Sequence, residues 1–314
     1  MTNFKKYSSI ETFDFDELES LSEQYADIEF VIQEKLDGAN ITIIFDRDGG
    51  VEIGSRTESL GEIDKLKRFY RIEEALREND IKEFIAFWSE KAKRDGKLYS
   101  FYGELFGKGV SRRIDYGDKQ LILLFDLRID GEYATLRHFY DLLEETGFHK
   151  LAVPTLRVAT GLKAALNEDC EFISCLSHLA GADRRDTNYA EGIVIKPMNC
   201  VLYHEKHRVA YKKKNPNFKE KGAKKPKLAW DATLSEQRAA FVEYVNENRM
   251  LSVFSKHQPI EAIAEIGKYI QLIVADALEE FEKDVGKLEI NKKLIISRAQ
   301  AKAAALLKDF LARG

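Results

Sequence analysis

The sequence predicts an α+β fold, in which a domain of largely antiparallel strands is followed by a small all-helical C-terminal domain. Strand-like runs between residues 28 and 214 are separated by tight turns and by helices of unequal length, which is typical of this fold class. After residue 231 there is a single proline, Pro259, and apolar residues recur at helical spacing. We therefore predict domains at 1–230 and 231–314, with a linker at 222–230.

Length and composition exclude several classes of protein. The 314 residues are 44% hydrophobic and 32% charged, which suits a globular protein with a substantial core and not a disordered chain. The longest apolar runs, such as LILLF, are far shorter than the roughly 20 residues of a membrane-spanning helix. The first ten residues lack the apolar core of a signal peptide. We expect a cytoplasmic monomer with no membrane or protein partner.

The first half of the chain begins with three predicted strands. Residues 28–57 contain the β-rich runs IEFVIQEK and ANITIIFD, and DRDGG after the second run supplies the glycines of a hairpin turn. Apolar residues then recur at spacings of three and four from Asp64 to Arg94, which predicts a long helical region.

Further strands are predicted along the rest of the first domain, with two helices between them. The strands are at 97–106, 120–129, 191–197 and 208–214, and the helices are near 135–146 and 168–180.

Positive charge is concentrated in one tract. Residues 206–227 contain ten lysines or arginines and one acid, Glu220, and so carry +9 in a chain whose net charge is −4. Such a tract suits the phosphates of a nucleotide or a polynucleotide. By composition alone, a solvated loop would be the simpler interpretation.

No transition-metal site is predicted from the cysteines or histidines. Cys170, Cys175 and Cys200 do not have zinc-site spacing, and we expect them to be reduced and structural. His204 and His207 have no acidic or thiol companions at the spacing of a metal site.

The motif EKLDGAN at residues 34–40 places Lys35 at the end of a predicted strand, with a glycine three residues later. A Lys-x-Asp-Gly motif alone is weak, because its residues are common. Four further motifs follow it in order, each on a predicted strand or at its end. They are SRT at 55–57, FYGELFG at 101–107, EGIVIKP at 191–197 and YKKKNPNF at 211–218.

In the order of these five motifs and in its helical tail, the chain resembles the covalent nucleotidyltransferases, whose catalytic domain is ATP-grasp-like. It is most similar to the RNA ligase 2 family of ATP-dependent polynucleotide ligases. The resemblance implies that Lys35 attacks the α-phosphorus of ATP. AMP then passes to an RNA 5′-phosphate, and a 3′-hydroxyl displaces AMP to seal the strand, preferably at a nick in duplex RNA.

The chemistry requires cations near the nucleophile. A lysine with an ordinary pKa of about 10.4 is protonated at neutral pH, so neighbouring cations or desolvation must lower the pKa before it can attack. Lys212 and Lys214 are two apart on a predicted strand and share one face, whereas Lys213 points to the other. The resemblance directs Lys212 and Lys214 at the α-phosphate. Lys213 is expected to be exposed or to touch the RNA backbone.

Glu191 and Lys196 are five apart on one predicted strand and should point to opposite faces. The resemblance makes Glu191 an acidic group that serves Mg²⁺, a cation that prefers oxygen ligands and bridges to substrate phosphates. It makes Lys196 a contact of nucleotide phosphate.

The same resemblance assigns five further residues to nucleotide binding. Glu104 is implied to accept a hydrogen bond from a ribose hydroxyl, Arg56 to contact phosphate or the RNA end, and Phe125 to stack on adenine. A phenylalanine in an apolar strand is ordinarily a core residue. Glu34 is implied to lie near the base edge, and Asn40 near hydrated metal.

One position departs from the type member of the family, which has histidine where this chain has Asp37. Two other functions share the Lys-x-Asp-Gly nucleophile, DNA ligation and transfer of GMP to RNA caps, but they pair it with a β-barrel, and the tail here has helical periodicity. A noncatalytic RNA-binding protein is a third alternative. It would not require Lys35, Glu104, Glu191 and the two lysines of the last motif together.

Overall fold

The computed structural model contains two compact units, Met1–Lys219 and Glu220–Gly314. The predicted boundary after residue 230 and the linker at 222–230 lie outside the described residues. Among the described residues, none of the helices has the length and apolar character needed to cross a membrane. The structure describes residues 3–8, 10–12, 18–111, 113–182, 187–204, 207–218, 234–285 and 292–313.

The first unit is a mixed structure of strands and short helices. Its strands are β1 (Glu11–Thr12), β2 (Glu29–Glu34), β3 (Ala39–Phe45), β4 (Val51–Ser55), β5 (Ser59–Glu62), β6 (Tyr99–Gly107), β7 (Gln120–Ile129), β8 (Glu132–Tyr133), β9 (Thr155–Thr160), β10 (Gly192–Pro197), β11 (Tyr203–His204), β12 (His207–Arg208) and β13 (Tyr211–Lys214). Its helices are α1 (Leu18–Gln24), α2 (Ile72–Leu76), α3 (Asn79–Asp95), α4 (Leu136–Glu145) and α5 (Leu162–Asn167).

Two main sheets organise this unit, and β11 and β12 form a separate two-stranded pair. The larger sheet has the antiparallel strand order β5-β4-β3-β6-β7-β8, and the smaller has the order β1-β13-β10-β2-β9. In the smaller sheet β13, β10, β2 and β9 are antiparallel neighbours, and β1 pairs parallel to β13. The predicted α+β class with largely antiparallel pairing is confirmed.

The alternation of side chains explains how the smaller sheet is packed. Ile32, Ile193 and Ile195 point to one face, where they join an apolar cluster with residues of α1 and α5. Val31 points to the other face. There it belongs to the main apolar cluster, which also contains side chains of the larger sheet such as Ile41 and Phe101. The polar end of this second face, next to the larger sheet, holds the candidate site.

The predicted long helix from Asp64 to Arg94 is wrong in its first part. Tyr70 and Arg71 have φ values of 50° and 56°, in the left-handed region that a right-handed helix of L-residues does not contain. The helical residues are therefore limited to the short α2 and to α3, and the apolar periodicity before residue 70 belongs to an irregular segment with a buried Phe69.

Two other predicted elements differ from the structure. The helix predicted near 168–180 is instead α5, which ends at Asn167, and an irregular segment follows it. The strand predicted at 208–214 is divided into β12 and β13 by Val209 and Ala210, both of which are buried. In each case the apolar residues pack into the core without regular backbone geometry, which a periodicity does not reveal.

The described part of the second unit is helical, as predicted, and has a core of its own. Its helices are α6 (Leu234–Glu243), α7 (Glu247–His257), α8 (Ile266–Val285) and α9 (Lys292–Arg313). Phe241, Phe254 and Phe281 are among the apolar side chains buried between them. Asn246 is the N-cap residue that precedes α7. Its side chain accepts a hydrogen bond from the backbone N–H of Arg249, as N-cap residues do.

Candidate active site

Lys35 is placed by the pairing of β2, β10 and β13. Val194 of β10 lies opposite both Gln33 of β2 and Lys212 of β13, so these side chains share a face. Two residues further along their strands, Lys35 and Lys214 lie on the same face. The backbone N–H of Lys35 donates to the carbonyl of Gly192 at 2.9 Å. The predicted shared face of Lys212 and Lys214 is confirmed.

Glu191 lies between the cations of this face. Its Oε2 is 2.6 Å from the Nζ of Lys35, and its Oε1 is 3.2 Å from the Nζ of Lys214. The guanidinium of Arg113 is 3.4 Å from the same Oε1. Burial alone would raise the pKa of Glu191, but these three cations outweigh it and lower the pKa to about 2. The group is a carboxylate at any ordinary pH.

The pKa of Lys35 is raised, contrary to the expectation from sequence. Burial favours the neutral amine, but the charge of Glu191, and after it that of Glu104, outweighs burial. The sequence pointed to the cations Lys212 and Lys214 as neighbours of Lys35. It did not indicate that the carboxylate of Glu191 would lie between Lys35 and Lys214. Lys35 is therefore a protonated lysine in an ion pair until a ligand changes its surroundings.

Lys213 points to the opposite face and is half-buried, whereas one of the two expectations from the sequence was an exposed side chain. Its Nζ donates to the backbone carbonyls of Leu166 and Glu168, at 3.1 Å and 2.7 Å. These carbonyls lie at the C-terminal end of α5, where a helix leaves acceptors unsatisfied and attracts cations. Lys213 therefore caps this helix, and its role is structural.

Arg113 and Asp37 form a part of the site that the sequence did not predict. The Nη2 of Arg113 is 2.6 Å from Asp37 Oδ1, and the backbone N–H of Arg113 donates to Asp37 Oδ2 at 3.2 Å. The guanidinium also lies 5.4 Å from the ring centre of Phe218. Arg113 thus joins the carboxylate two residues after Lys35 to Glu191. No spacing in the sequence could have identified it, because Arg113 lies in an irregular loop.

Glu104 and Asn40 face each other on the neighbouring strands β6 and β3. Burial raises the pKa of Glu104 to about 8, although Lys35 and, to a smaller extent, Arg56 oppose the rise. Arg56 is half-buried, and its guanidinium carbon is 6.0 Å from the ring centre of Tyr7. The charges of Lys35 and Arg56 both act on Glu104, so these three residues lie near one another, with Asn40 of β3 beside Glu104.

Phe125 lies at an irregularity of β7. Tyr102 of β6 pairs with Asp126, and Gly103 pairs with Leu124, so Phe125 is an extra residue between the two pairs. This is the arrangement of a β-bulge, which redirects a side chain. The half-buried ring contacts Tyr7 edge-on, with ring centres 5.1 Å apart. The bulge explains why this phenylalanine is not an ordinary core residue of its strand.

Lys196 does not join the Lys35 cluster. Its Nζ donates to the carbonyl of Phe125 at 2.5 Å and lies 3.6 Å from Asp126, in a fully buried position. Burial lowers the pKa of Lys196 to about 8, although Asp126 opposes this shift. Arg208 also pairs with Asp126, at 2.6 Å, and Tyr7 donates to it at 2.8 Å. Lys196 thus supports the backbone of Phe125, whereas the resemblance implied a phosphate contact.

Glu34 points away from Lys35, as adjacent strand residues do. Its carboxylate accepts hydrogen bonds from Ser174 Oγ at 2.5 Å and from the backbone N–H of Cys175 at 2.9 Å, and the residue is 2% exposed. Burial raises its pKa, although these hydrogen bonds oppose the shift. The carboxylate therefore binds the irregular segment that follows α5. The sequence predicts a helix for this segment.

The site offers oxygen ligands for one divalent cation whose other ligands come from substrate or water. The structure shows no group of three or more histidine, cysteine or acidic side chains arranged to hold a metal, within the residues it describes. Mg²⁺ usually takes one or two carboxylates and keeps several waters, so it does not need such a group. Glu191 supplies a carboxylate, and the buried Oδ1 of Asn40 has no hydrogen-bond partner among the described residues. These residues fit Mg²⁺.

The chain matches two family models. Residues 28–214 match the model for RNA ligase, and residues 231–305 match the model for the T4 RNA ligase 2 C-terminal region. The first match alone covers more than half of the chain, and the two together span both units.

Solved structures of a Naegleria gruberi RNA ligase are similar to this chain. A mutant of that enzyme with ATP and Mn is 17% identical, with a TM-score of 0.51 over 69% of this chain and 58% of that chain. The same enzyme with PPi is also 17% identical, with a TM-score of 0.49 and the same coverage. At such low identity the likeness of the first structure supports the fold alone. The chain spans less than two thirds of the length of these enzymes.

Proposed function

The chain belongs to the RNA ligase family, and we propose that it is an ATP-dependent RNA ligase that joins a 3′-hydroxyl to a 5′-phosphate. The observation that carries the proposal is the meeting of Lys35, Glu191 and Lys214 within 2.6–3.2 Å at one end of a sheet. A lysine that becomes a nucleophile needs neighbours that change its protonation when substrate binds, and the carboxylate of Glu191 is such a neighbour.

The proposed reaction has three steps. After losing its proton to solvent, the Nζ of Lys35 attacks the α-phosphorus of ATP, pyrophosphate leaves, and a P–N bond to AMP forms. The RNA 5′-phosphate then attacks the same phosphorus, and the bond to Nζ breaks. Finally the 3′-hydroxyl attacks the adenylylated RNA phosphate, and AMP leaves. Lys212 and Lys214 would neutralise charge on the transferred phosphate, since fixed charges aimed at developing charge are effective catalysts.

Mg²⁺ would supply further charge neutralisation at the phosphates when it is bound. Glu191 would hold it directly, and Asn40 would hold it through water. Glu191 carries its negative charge already, because its pKa is about 2, so it needs no deprotonation to bind a cation. A cation there would compete with Lys35 for Glu191 and weaken the ion pair of the nucleophile.

The nucleotide would lie between the two sheets. We propose that Phe125 stacks on adenine, that Glu104 accepts a hydrogen bond from a ribose hydroxyl, and that Arg56 contacts phosphate or the RNA end. From the family resemblance we also propose that Glu34 lies near the edge of the base and that Lys196 contacts a nucleotide phosphate. Both charged groups have protein partners, so a direct contact with ATP would require them to exchange partners.

The proposed substrate is a nick in duplex RNA, and the proposed active form is a cytoplasmic monomer without a protein partner. Residues 1–230 would form the adenylyltransferase domain, and residues 231–314 would bind RNA and contribute to sealing. The helical character of the described C-terminal residues and their family match disfavour a DNA ligase or a capping enzyme with a β-barrel. A noncatalytic RNA-binding protein would have no need of the buried contacts around Lys35.

The deciding experiment is incubation of the protein with α-labelled ATP or GTP and Mg²⁺, followed by denaturing electrophoresis. We expect a label from ATP that is absent in Lys35→Ala, while Lys213→Ala, a change of the same type on the opposite sheet face, retains it. A label from GTP alone would favour capping chemistry. If folded, nucleotide-free wild type gives no label, the noncatalytic alternative gains support.

A further inference from the structure

Arg113, which joins Asp37 to Glu191, also lines a cavity of 370 Å³ on the first unit. Pockets for small molecules span about 300–1,000 Å³, so this cavity is larger than a lone phosphate needs and is of the size that holds one small organic ligand. The side chains used below to argue its ligand are Lys108, Ser111, Arg113, Thr187 and Asn188.

The loop that lines this cavity is hydrogen-bonded to the segment that follows Lys35. Ser111 Oγ donates to the backbone carbonyl of Asp37 at 2.5 Å and accepts from the N–H of Gly107 at 3.0 Å. Arg113 binds the carboxylate of the same Asp37. The cavity is therefore connected by hydrogen bonds to Asp37, which lies two residues after Lys35.

The opposite wall is preorganised by Asn188, which is 8% exposed. Its amide donates to the backbone carbonyl of Asp115 at 2.7 Å and accepts from the N–H of Asp115 at 3.0 Å. The Asp115 carboxylate accepts from the backbone N–H of Gly117 at 2.9 Å. This acid is thus engaged with its own turn. The cationic side chains of the lining are Lys108 and Arg113, of which Arg113 also pairs with Asp37 and Glu191.

The chemistry of the lining indicates a ligand with a phosphate and hydroxyl groups. Ammonium and guanidinium groups are the usual partners of phosphate, and a phosphate monoester carries nearly two negative charges at neutral pH. The hydroxyls of Ser111 and Thr187 are donors and acceptors of the kind that bind sugar hydroxyls. A nucleotide has both features and matches the volume better than pyrophosphate does.

We infer that this cavity binds the RNA nucleotide that bears the 5′-phosphate, beside the adenylylated Lys35. The inference rests on the proposed ligase function and adds a subsite to it. The 5′-phosphate must reach the AMP on Lys35 in the second step, and a cationic cavity joined to Asp37 and Glu191 through Arg113 holds that phosphate near its target.

The test compares Lys108, which follows the last residue of β6, with Lys119, which precedes the first residue of β7. Lys108 lines the cavity and is exposed, and its backbone N–H donates to the carbonyl of Lys119, which is also exposed but does not line the cavity. Lys108→Ala and Lys119→Ala therefore remove the same charge within one small region. Because both side chains are exposed, both variants should fold.

Binding is measured by fluorescence anisotropy on two nicked RNA duplexes. One has a 5′-phosphate at the nick and the other a 5′-hydroxyl, and both have a 3′-deoxy end so that sealing cannot occur. Wild type and Lys119→Ala should prefer the 5′-phosphate, and Lys108→Ala should lose about tenfold of that preference, the value of one hydrogen bond to a charged group. An unchanged preference, or equal weakening of both duplexes, would overturn the inference.

A second measurement separates RNA from ATP. Transfer of AMP to the RNA 5′-phosphate should fall more in Lys108→Ala than lysyl-AMP formation does, because the latter step uses no RNA. Equal loss in the two steps would assign the cavity to the phosphates of ATP and overturn the inference. Absence of lysyl-AMP in wild type would count against the proposed function instead, and the binding comparison needs no catalysis.

Discussion

Glu191 Oε2 lies 2.6 Å from the Nζ of Lys35, although 156 residues separate them in the chain. The antiparallel pairing of β2 with β10 makes this contact, since Glu34 and Ile193 lie opposite each other. Lys35 and Glu191 each lie just outside one of these paired strands. The ion pair couples the protonation of the nucleophile to whatever occupies the Glu191 carboxylate.

We expect Glu191→Gln to slow lysyl-AMP formation by roughly 10- to 100-fold, the usual effect of removing a group that supports a metal site. The amide keeps the shape of the side chain but loses the charge that pairs with Lys35 and that would hold Mg²⁺. The measurement is the rate of labelling from α-labelled ATP. Glu144→Gln, on an exposed side chain of α4, serves as the control. A normal rate in Glu191→Gln would remove Glu191 from the chemistry.

The buried cluster around Asp126 should dominate the stability of the first unit. Asp126→Asn leaves Arg208 and Lys196 buried without their anionic partner, and we expect a loss of about 3–5 kcal/mol in the free energy of unfolding. Asp130→Asn breaks an exposed pair with Arg47 and should cost about 1 kcal/mol or less. Urea unfolding of both variants checks this. Similar losses in the two would contradict the assignment.

Gly192 is required where β10 meets β13. Its φ is 146°, and a Cβ there would lie 2.1 Å from the carbonyl oxygen of Lys213. We expect Gly192→Ala to lower the free energy of unfolding by at least about 1–3 kcal/mol and to reduce lysyl-AMP formation, because the strain would displace Lys212 and Lys214. Gly267→Ala, at a helical position with no atom within 4 Å, should be neutral or stabilising. Equal thermal unfolding temperatures for the two variants would refute this.

Stability of the second unit should depend on pH through Asp276. The residue binds Arg249 at 2.8 Å and also pairs with Lys256. Burial would raise its pKa, but Lys256 and then Arg249 outweigh burial and lower it. The unfolded chain therefore binds the proton more tightly. The stabilisation is complete above the unfolded pKa of about 3.9 and is lost as pH falls through the lower folded value.

Asp276→Asn should accordingly cost about 1.5–3 kcal/mol at neutral pH, the value of hydrogen bonds to a charged group. The difference from wild type should shrink below about pH 4. Urea unfolding across that range, monitored by helical circular dichroism, is the measurement. A difference that stays constant with pH would show that the carboxylate charge contributes nothing.

Deletion of residues 231–314 tests the division of labour between the domains. The residues proposed to bind nucleotide all lie between positions 34 and 214, and each unit has its own apolar core. We expect the truncated chain to form lysyl-AMP at nearly the normal rate but to transfer AMP to RNA poorly. Unchanged sealing of a nicked duplex would mean that the helical domain does not bind the RNA.

Local patterns predicted those features that depend only on neighbouring residues. Alternation along a strand was sufficient to separate Lys213 from Lys212 and Lys214, because successive side chains of a strand always point to opposite faces. It could not identify the target of Lys213, because the carbonyls at the end of α5 come from another part of the chain. The predicted opposite orientation of Lys196 and Glu191 is wrong. Lys196 lies on the same sheet face as Lys35, and Glu191, just outside the regular strand β10, directs its carboxylate to Lys35 and Lys214 on that face.

The sequence by itself determined the α+β class and the helical tail, because these depend on residue type and local periodicity. Its resemblance to a known family supplied the candidate site residues, of which Lys35, Glu191 and Lys214 meet in the structure. Tertiary structure alone decided that Glu191 would separate Lys35 from Lys214, that Arg113 would join Asp37 to Glu191, and that a bulge would redirect Phe125. These contacts depend on strand register and loop packing, which are set by the whole core and not by any short segment.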